Sequence, residues 1–209
     1  MLTIETFELG PLATNAYLVT DAERKRAIVF DPGTADPEFL RRLEAFEVEA
    51  ILLTHCHFDH IGGVEAVRQK FGCPVYMHAA EVDWLTDANK NGSARWPEVT
   101  PPIQASPPDK LVDDGDELPL LGETFRVLYT PGHSPGSVSY LCGDFVLAGD
   151  VLFCRSVGRT DLPGGNTELL VQSIREKLYT LPDHVLVLPG HGPATTIGEE
   201  KRENPFVRA

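Results

Sequence analysis

The chain is short of positive charge. Eighteen lysines and arginines face 31 aspartates and glutamates, a formal net charge of −13 over 209 residues. Binding phosphates needs the opposite balance, so no nucleic-acid partner is expected. Long hydrophobic runs are missing too: nothing approaches the length of a membrane span, and the N-terminal MLTIETFELG has no basic region leading into an apolar core. No membrane partner is expected, and the sequence reads as that of a cytoplasmic protein. Cysteine is sparse. Cys56, Cys73, Cys142 and Cys154 are scattered with no Cys-x-x-Cys pair, which fits reduced thiols and argues against a disulfide framework or a structural zinc knuckle. There is no repeat and no low-complexity tract. The hydrophobic fraction, 42%, is that of an ordinary globular domain with a sizeable core, and a single domain over 1–209 is expected.

The pattern along the chain mixes strands with helices. Leu2–Leu9, Ala16–Thr20 and Ala27–Phe30 are short β-rich runs between turn residues, an antiparallel start. Pro37–Phe46 has apolar residues at helical spacing, Ala50–Leu53 is a short apolar strand, and Val64–Phe71 is a helix ended by Gly72 and Pro74. Pro74–Met77 reads as a strand and Ala80–Leu85 as a helix. Asn89–Asp109 dissolves into proline, asparagine, glycine and serine, a long loop of the kind that often borders a site. Thr124–Tyr129, Val138–Leu141, Phe145–Ala148 and Val185–Leu188 read as strands around an amphipathic helix, Thr167–Tyr179. Two strand-rich, helix-bearing halves of similar length suggest an α/β protein with two sheets packed face to face and helices outside, a four-layer α/β/β/α sandwich.

Chemistry concentrates in LLTHCHFDHIGG, where His55, His57, Asp59 and His60 fall within six positions of a chain that has only seven histidines. In an extended segment residues two apart point the same way, so His55 and His57 can grip one ion. A turn at Phe58–His60 would aim Asp59 and His60 toward a second. Four residues are too few for two ions, since such ions take about four ligands each. Three further donors stand just after apolar strands, beside glycine: His133 in Tyr129-Thr130-Pro131-Gly132-His133-Ser134, Asp150 in Ala148-Gly149-Asp150, and His191 in Leu188-Pro189-Gly190-His191-Gly192. Alone, each is more simply a capping histidine or a turn-forming aspartate. His78 and His184 stand apart from the pattern, and Cys56 should point away from its two neighbours.

Together these segments resemble the metallo-β-lactamase fold superfamily, with TPGHSPGS and GD in that family's order. The resemblance implies two divalent ions per chain: His55, His57 and His133 on the first, Asp59, His60 and His191 on the second, and Asp150 bridging with one oxygen each. Zinc is expected; histidine and aspartate ligands suit iron or manganese as well. A hydroxide shared by the ions is the implied nucleophile. Asp59, beside it, is the catalytic carboxylate expected to accept its hydrogen bond.

The runs Ser156–Asn166 and Gly198–Phe206 look like the small glyoxalase II-like (hydroxyacylglutathione hydrolase-like) branch. That resemblance implies a thioester hydrolase acting on a small molecule such as S-lactoylglutathione, whose thiolate leaves without a dedicated acid. Arg159 and Asp161 become candidate substrate contacts. Larger members of the branch have Lys-x-Tyr where this chain has Arg159-Thr160-Asp161, a glutamate–tyrosine pair where it has Gly192-Pro193, and a basic helical extension beyond the position of Ala209. The Gly158–Asp161 run also resembles persulfide dioxygenases, which would use one iron held by two histidines and a carboxylate, from His55 or His57, His133 and Asp150. A non-catalytic metal-binding or partner-binding module is the third reading.

Overall fold

The computed structural model describes residues 2–208, which divide into two compact units, one reaching Leu111 and including Leu120–Gly122, the other formed by Val112–Pro119 and the chain from Glu123 onward.

The first unit is built on a six-stranded sheet. Its elements are β1 (Leu2–Leu9), β2 (Thr14–Asp21), β3 (Arg26–Phe30), α1 (Pro37–Leu43), β4 (Glu47–Leu52), α2 (Phe58–Ile61), α3 (Val64–Phe71), β5 (Val75–His78), α4 (Val82–Thr86) and β6 (Lys110–Val112). The strands lie in sequence order. β1–β2 and β2–β3 are antiparallel, as the opening pattern predicts, whereas β3–β4 and β4–β5 are parallel and need a crossover. α1 and α3 supply those crossovers. Asp36 starts α1 by accepting the amides of Glu38 and Phe39, and Gly72, in the left-handed region at φ 67°, ends α3. The core joins Ala16, Leu18, Ala27, Val29, Ile51 and Leu53 of the sheet to Phe39, Leu43, Val64 and Val67 of the helices.

The second unit carries β7 (Glu117–Leu120), β8 (Glu123–Tyr129), β9 (Val138–Cys142), β10 (Phe145–Gly149), β11 (Leu152–Phe153), β12 (Ser156–Val157), α5 (Thr167–Ser173), β13 (Leu186–Pro189), β14 (Thr195–Thr196) and α6 (Ile197–Glu203). Its sheet runs β14-β13-β10-β9-β8-β7, with β10–β13 parallel and β8–β9, β9–β10 and β13–β14 antiparallel. β11 and β12 form a separate hairpin. Leu170, Ile174 and Leu178 pack on Val146, Ala148 and Val187 in its core.

Several boundaries differ from the sequence pattern for local reasons. The single helix expected over Thr167–Tyr179 changes at Ile174 to a wider π turn through Leu178. Ala80–Leu85 opens as a 3₁₀ turn before α4, capped by His78 Nδ1, which accepts the Ala80 amide. β6, β7 and α6 carry no expectation from the sequence, because each is short and α6 buries Glu200 rather than an apolar stripe.

Candidate metal centre

The first unit brings His55, His57, Asp59 and His60 together at the end of β4. The chain leaves Leu52 extended, so His55 and His57 share a face, their rings 4.8 Å apart and nearly perpendicular. Cys56 between them points into the core, its Sγ 3.9 Å from Met77 Sδ. Burial, then the nearby Glu81 and Asp31 carboxylates, push that thiol well above its ordinary pKa, so it stays protonated. The turn expected at Phe58–His60 is the short helix α2, which swings Asp59 and His60 out of the His55–His57 line. His60 packs 4.1 Å, ring to ring, from His55.

Buried groups that the sequence reading passed over fix this segment. Asp31, just after β3 and 2% exposed, accepts the Thr54 amide at 2.8 Å, the Thr54 hydroxyl at 2.5 Å and His60 Nδ1–H at 2.9 Å. It does so with φ 47°, a left-handed conformation that aspartate tolerates better than most residues. The Thr54 hydroxyl has one hydrogen, spent on Asp31, so it accepts from His55 Nδ1–H at 3.1 Å. Glu81, 1% exposed, accepts the Cys56 amide at 2.6 Å. Thr14 donates its hydroxyl to Asp59 Oδ2 at 2.8 Å. The available signal was that Asp31, like Asp150, follows an apolar strand, and that Pro32-Gly33 comes next.

The second unit gathers His133, Asp150 and His191 in the same style. His133 Nδ1–H donates to the Arg159 carbonyl at 2.8 Å, and its Nε2 stands 3.5 Å from Asp150 Oδ2. His191 Nε2 lies 3.5 Å from that same oxygen. Asp150 Oδ2 therefore faces both imidazoles. The Gly190 amide donates to the Gly149 carbonyl at 2.8 Å and ties the two ligand loops together. Glycine is required twice: a Cβ on Gly158 would lie 1.8 Å from the Asp150 carbonyl oxygen, and one on Gly132 would strike the Leu170 backbone at 2.3 Å.

The donor set fits divalent ions. In His55, His60 and His133 the Nδ1–H is donated to an oxygen, which leaves Nε2 as the basic atom, the arrangement that orients metal-ligating imidazoles. His60 Nε2 lies 3.5 Å from Asp59 Oδ2, matching the His133–Asp150 and His191–Asp150 spacings. Two ligands on one tetrahedral ion at bonds of 2.0–2.2 Å stand about 3.3–3.6 Å apart, longer than a hydrogen bond. Three such pairs match the spacing of two ligands on one ion.

The other candidates are placed elsewhere. Arg159 and Asp161 form a two-pronged ion pair, both contacts 2.7 Å and both side chains exposed. That pair holds the Asp161 carboxyl down at about 2. What this run gives the centre is the Arg159 carbonyl. His184 is exposed and pairs with Asp144, away from the ligands.

Comparison with known proteins gives the family and the fold. The profile described as "Metallo-beta-lactamase superfamily" matches residues 9–191. This chain belongs to the metallo-beta-lactamase superfamily. Its two mixed six-stranded sheets with accompanying helices are those of the metallo-beta-lactamase fold. It is 47% identical over 205 residues to the Bacillus subtilis protein named "Probable metallo-hydrolase YqgX", covering 95% of this chain and 94% of that one. It is 36% identical to hydroxyacylglutathione hydrolase GloC of Haemophilus influenzae, covering 100% and 99%. Among solved structures, the BLEG-1 B3 metallo-beta-lactamase is 46% identical with a TM-score of 0.94 and coverage of 99% and 100%. TTHA1623, in a di-iron-bound form, is 40% identical with a TM-score of 0.85 and coverage of 97% and 100%.

Proposed function

We propose that the protein is a metal-dependent hydrolase of small-molecule thioesters such as S-lactoylglutathione. In this assignment His55, His57 and His133 hold one ion, Asp59, His60 and His191 hold a second, and Asp150 is shared. The observation that carries it is the repeated pairing of a carboxylate oxygen with an imidazole Nε2 at 3.5 Å, behind which Nδ1 is locked by an oxygen. Bound divalent ions supply Lewis acidity and lower the pKa of water to near 7, which gives a nucleophile at neutral pH.

The chain's own residues do the rest. Asp31, through Thr54 and directly, keeps the protons of His55 and His60 on Nδ1 and so keeps both Nε2 atoms basic. The Arg159 carbonyl does the same for His133. Thr14 holds Asp59 Oδ2, which restricts the carboxylate that would steer the nucleophile. A thiolate leaving group needs no protein acid, so the absence of a general acid from this scheme costs little in rate. The GloC relative supports a glutathione thioester as substrate; the di-iron form of TTHA1623 supports iron beside zinc as the metal. The free cysteines support a reducing, cytoplasmic setting.

The test is metal analysis paired with hydrolysis of S-lactoylglutathione. Two metal equivalents, and turnover abolished in Asp59→Ala, are expected. One tightly bound iron with oxygen uptake on glutathione persulfide overturns the hydrolase in favour of a dioxygenase. Full metal loading with neither activity favours a binding module. The BLEG-1 resemblance favours one second reading, hydrolysis of a β-lactam amide by the same centre, and a chromogenic cephalosporin added to the assay separates it.

A further inference from the structure

The first unit contains a cavity of about 210 Å³ beside Asp59. Leu9 and Leu12 wall it from the β1–β2 turn, Phe58 from the start of α2, and Val99, Pro101 and Ile103 from the proline-rich loop. Gly33 makes its position possible, since a Cβ there would lie 2.1 Å from the Asp59 carbonyl oxygen. Besides Asp59, its polar side chains are those of Thr34 and Thr100, and the Thr100 hydroxyl is spent on the Pro101 carbonyl at 3.0 Å. Among the described lining residues there is no lysine, arginine or histidine. Leu12, one of its lining residues, is 45% exposed and is the kind of surface a ligand would cover.

We propose that this cavity receives the acyl group of the substrate and selects uncharged, apolar acyl groups, branched or aromatic, of about six to eight heavy atoms. The assignment rests on the hydrolase reading, in which the reacting carbonyl lies beside Asp59 and its substituent extends into the adjoining space. The size follows from volume: a cavity of roughly 150 Å³ lined by leucine, isoleucine and phenylalanine holds benzene, and this one is somewhat larger. The polarity follows from the walls. An anionic acyl group such as succinyl would leave water for mainly apolar walls that hold no cation to pair with it. A lactoyl group would fill only part of the space and leave apolar wall uncovered. S-lactoylglutathione is then a substrate but not the best one, and the thiol carrier contributes less to selection than the acyl chain.

The experiment has two arms on the metal-loaded full chain. In the first, benzene is titrated while the methyl resonances of Leu9, Leu12, Val99 and Ile103 are followed by NMR, a readout independent of turnover. Shifts confined to these methyls, and lost in Val99→Trp, are expected. In the second, kcat/KM is measured for S-acyl-N-acetylcysteamine thioesters carrying acetyl, butyryl, isovaleryl, phenylacetyl and succinyl groups. A rise of about fourfold per added methylene is expected, from the transfer free energy of one CH₂, with succinyl below butyryl. Val99→Trp flattens the series, and Ile103→Ala, a smaller change should the first fail to fold, moves the optimum to longer chains. Turnover with a flat series in the unaltered chain, or with succinyl preferred, overturns the cavity assignment and leaves the hydrolase standing. Benzene shifts without turnover of any thioester overturn the hydrolase and leave an apolar binding site of this size.

Discussion

Replacing Asp31 by asparagine should loosen both the fold and the metal. The carboxylate accepts three hydrogen bonds in a buried setting, from the Thr54 amide, the Thr54 hydroxyl and His60 Nδ1. An amide offers one acceptor oxygen and one donor group, so at least one of the three donors then faces another donor. Leaving a buried group so unmatched costs about 1–3 kcal/mol, and losing the charge on the remaining bonds adds to it; a total of about 2–4 kcal/mol is expected. If His60 instead rotates its proton to Nε2 to accept from the new amide, the fold is spared but the ligand atom is blocked. Disturbing such supporting contacts lowers metal affinity about 10–100-fold, or about 1.4–2.7 kcal/mol. Asparagine tolerates the left-handed backbone at this position, so the variant isolates the hydrogen bonding. Asp31→Ala adds about 1–2 kcal/mol of backbone strain to the same loss. Denaturant unfolding of the metal-free protein and chelator competition on the metal-loaded one measure the two parts. An asparagine variant with unchanged unfolding midpoint and metal affinity within twofold of the original would refute the reasoning.

Other outcomes follow from the same contacts. Gly158→Ala drives a methyl against the Asp150 carbonyl, and it should cost about 3 kcal/mol in thermal unfolding and empty the second unit's share of the metal by elemental analysis. Thiol titration with a disulfide reagent at pH 8 should count one reactive group, the partly exposed Cys154, and four after unfolding, because burial raises Cys56 and lifts Cys73 and Cys142 to about 11. The Asp161 carboxyl, held at about 2 by Arg159, should titrate there by NMR. Its folded value lies below the ordinary 3.8, so the pair's contribution is complete above about pH 4 and disappears as the pH falls through about 2; an Asp161 titrating near 3.8 would mean the pair is open in solution.

The sequence disclosed most of the candidate ligands and few of the groups that hold them. His55 and His57 stood out because histidines cluster there, and His133, Asp150 and His191 because a donor beside glycine just after an apolar strand is a rare order. Asp31 also follows an apolar strand, but no glycine adjoins it and it has no second donor nearby in sequence; Thr14 and Glu81 are residue types too common to notice alone. Their importance comes from burial and from partners 45 residues away for Thr14 and 25 for Glu81, which local periodicity cannot carry. Strands with clear apolar runs, such as Phe145–Gly149, were legible to within a residue or two. The tail Gly198–Phe206 resembles its branch in sequence; in the fold it is a clasp. Asn204 donates to the Ser156 carbonyl and to Glu200, and its own oxygen accepts the amides of Phe206 and Val207. Lys201 likewise spends its ammonium on Asp183 and the Leu181 carbonyl.

Thr54 and Cys56 have their backbone amides held by buried carboxylates from different parts of the chain, Asp31 and Glu81. The His55–His57 segment is thus set before any ion arrives, and its ordering entropy belongs to folding, not to ligation. This is the opposite of a zinc finger, where binding and folding are one event. Removing metal from such a chain is then expected to leave it folded and able to take up a different ion. The identity of the metal it carries in a cell would then report what the cell had available rather than what the protein needs to stand up.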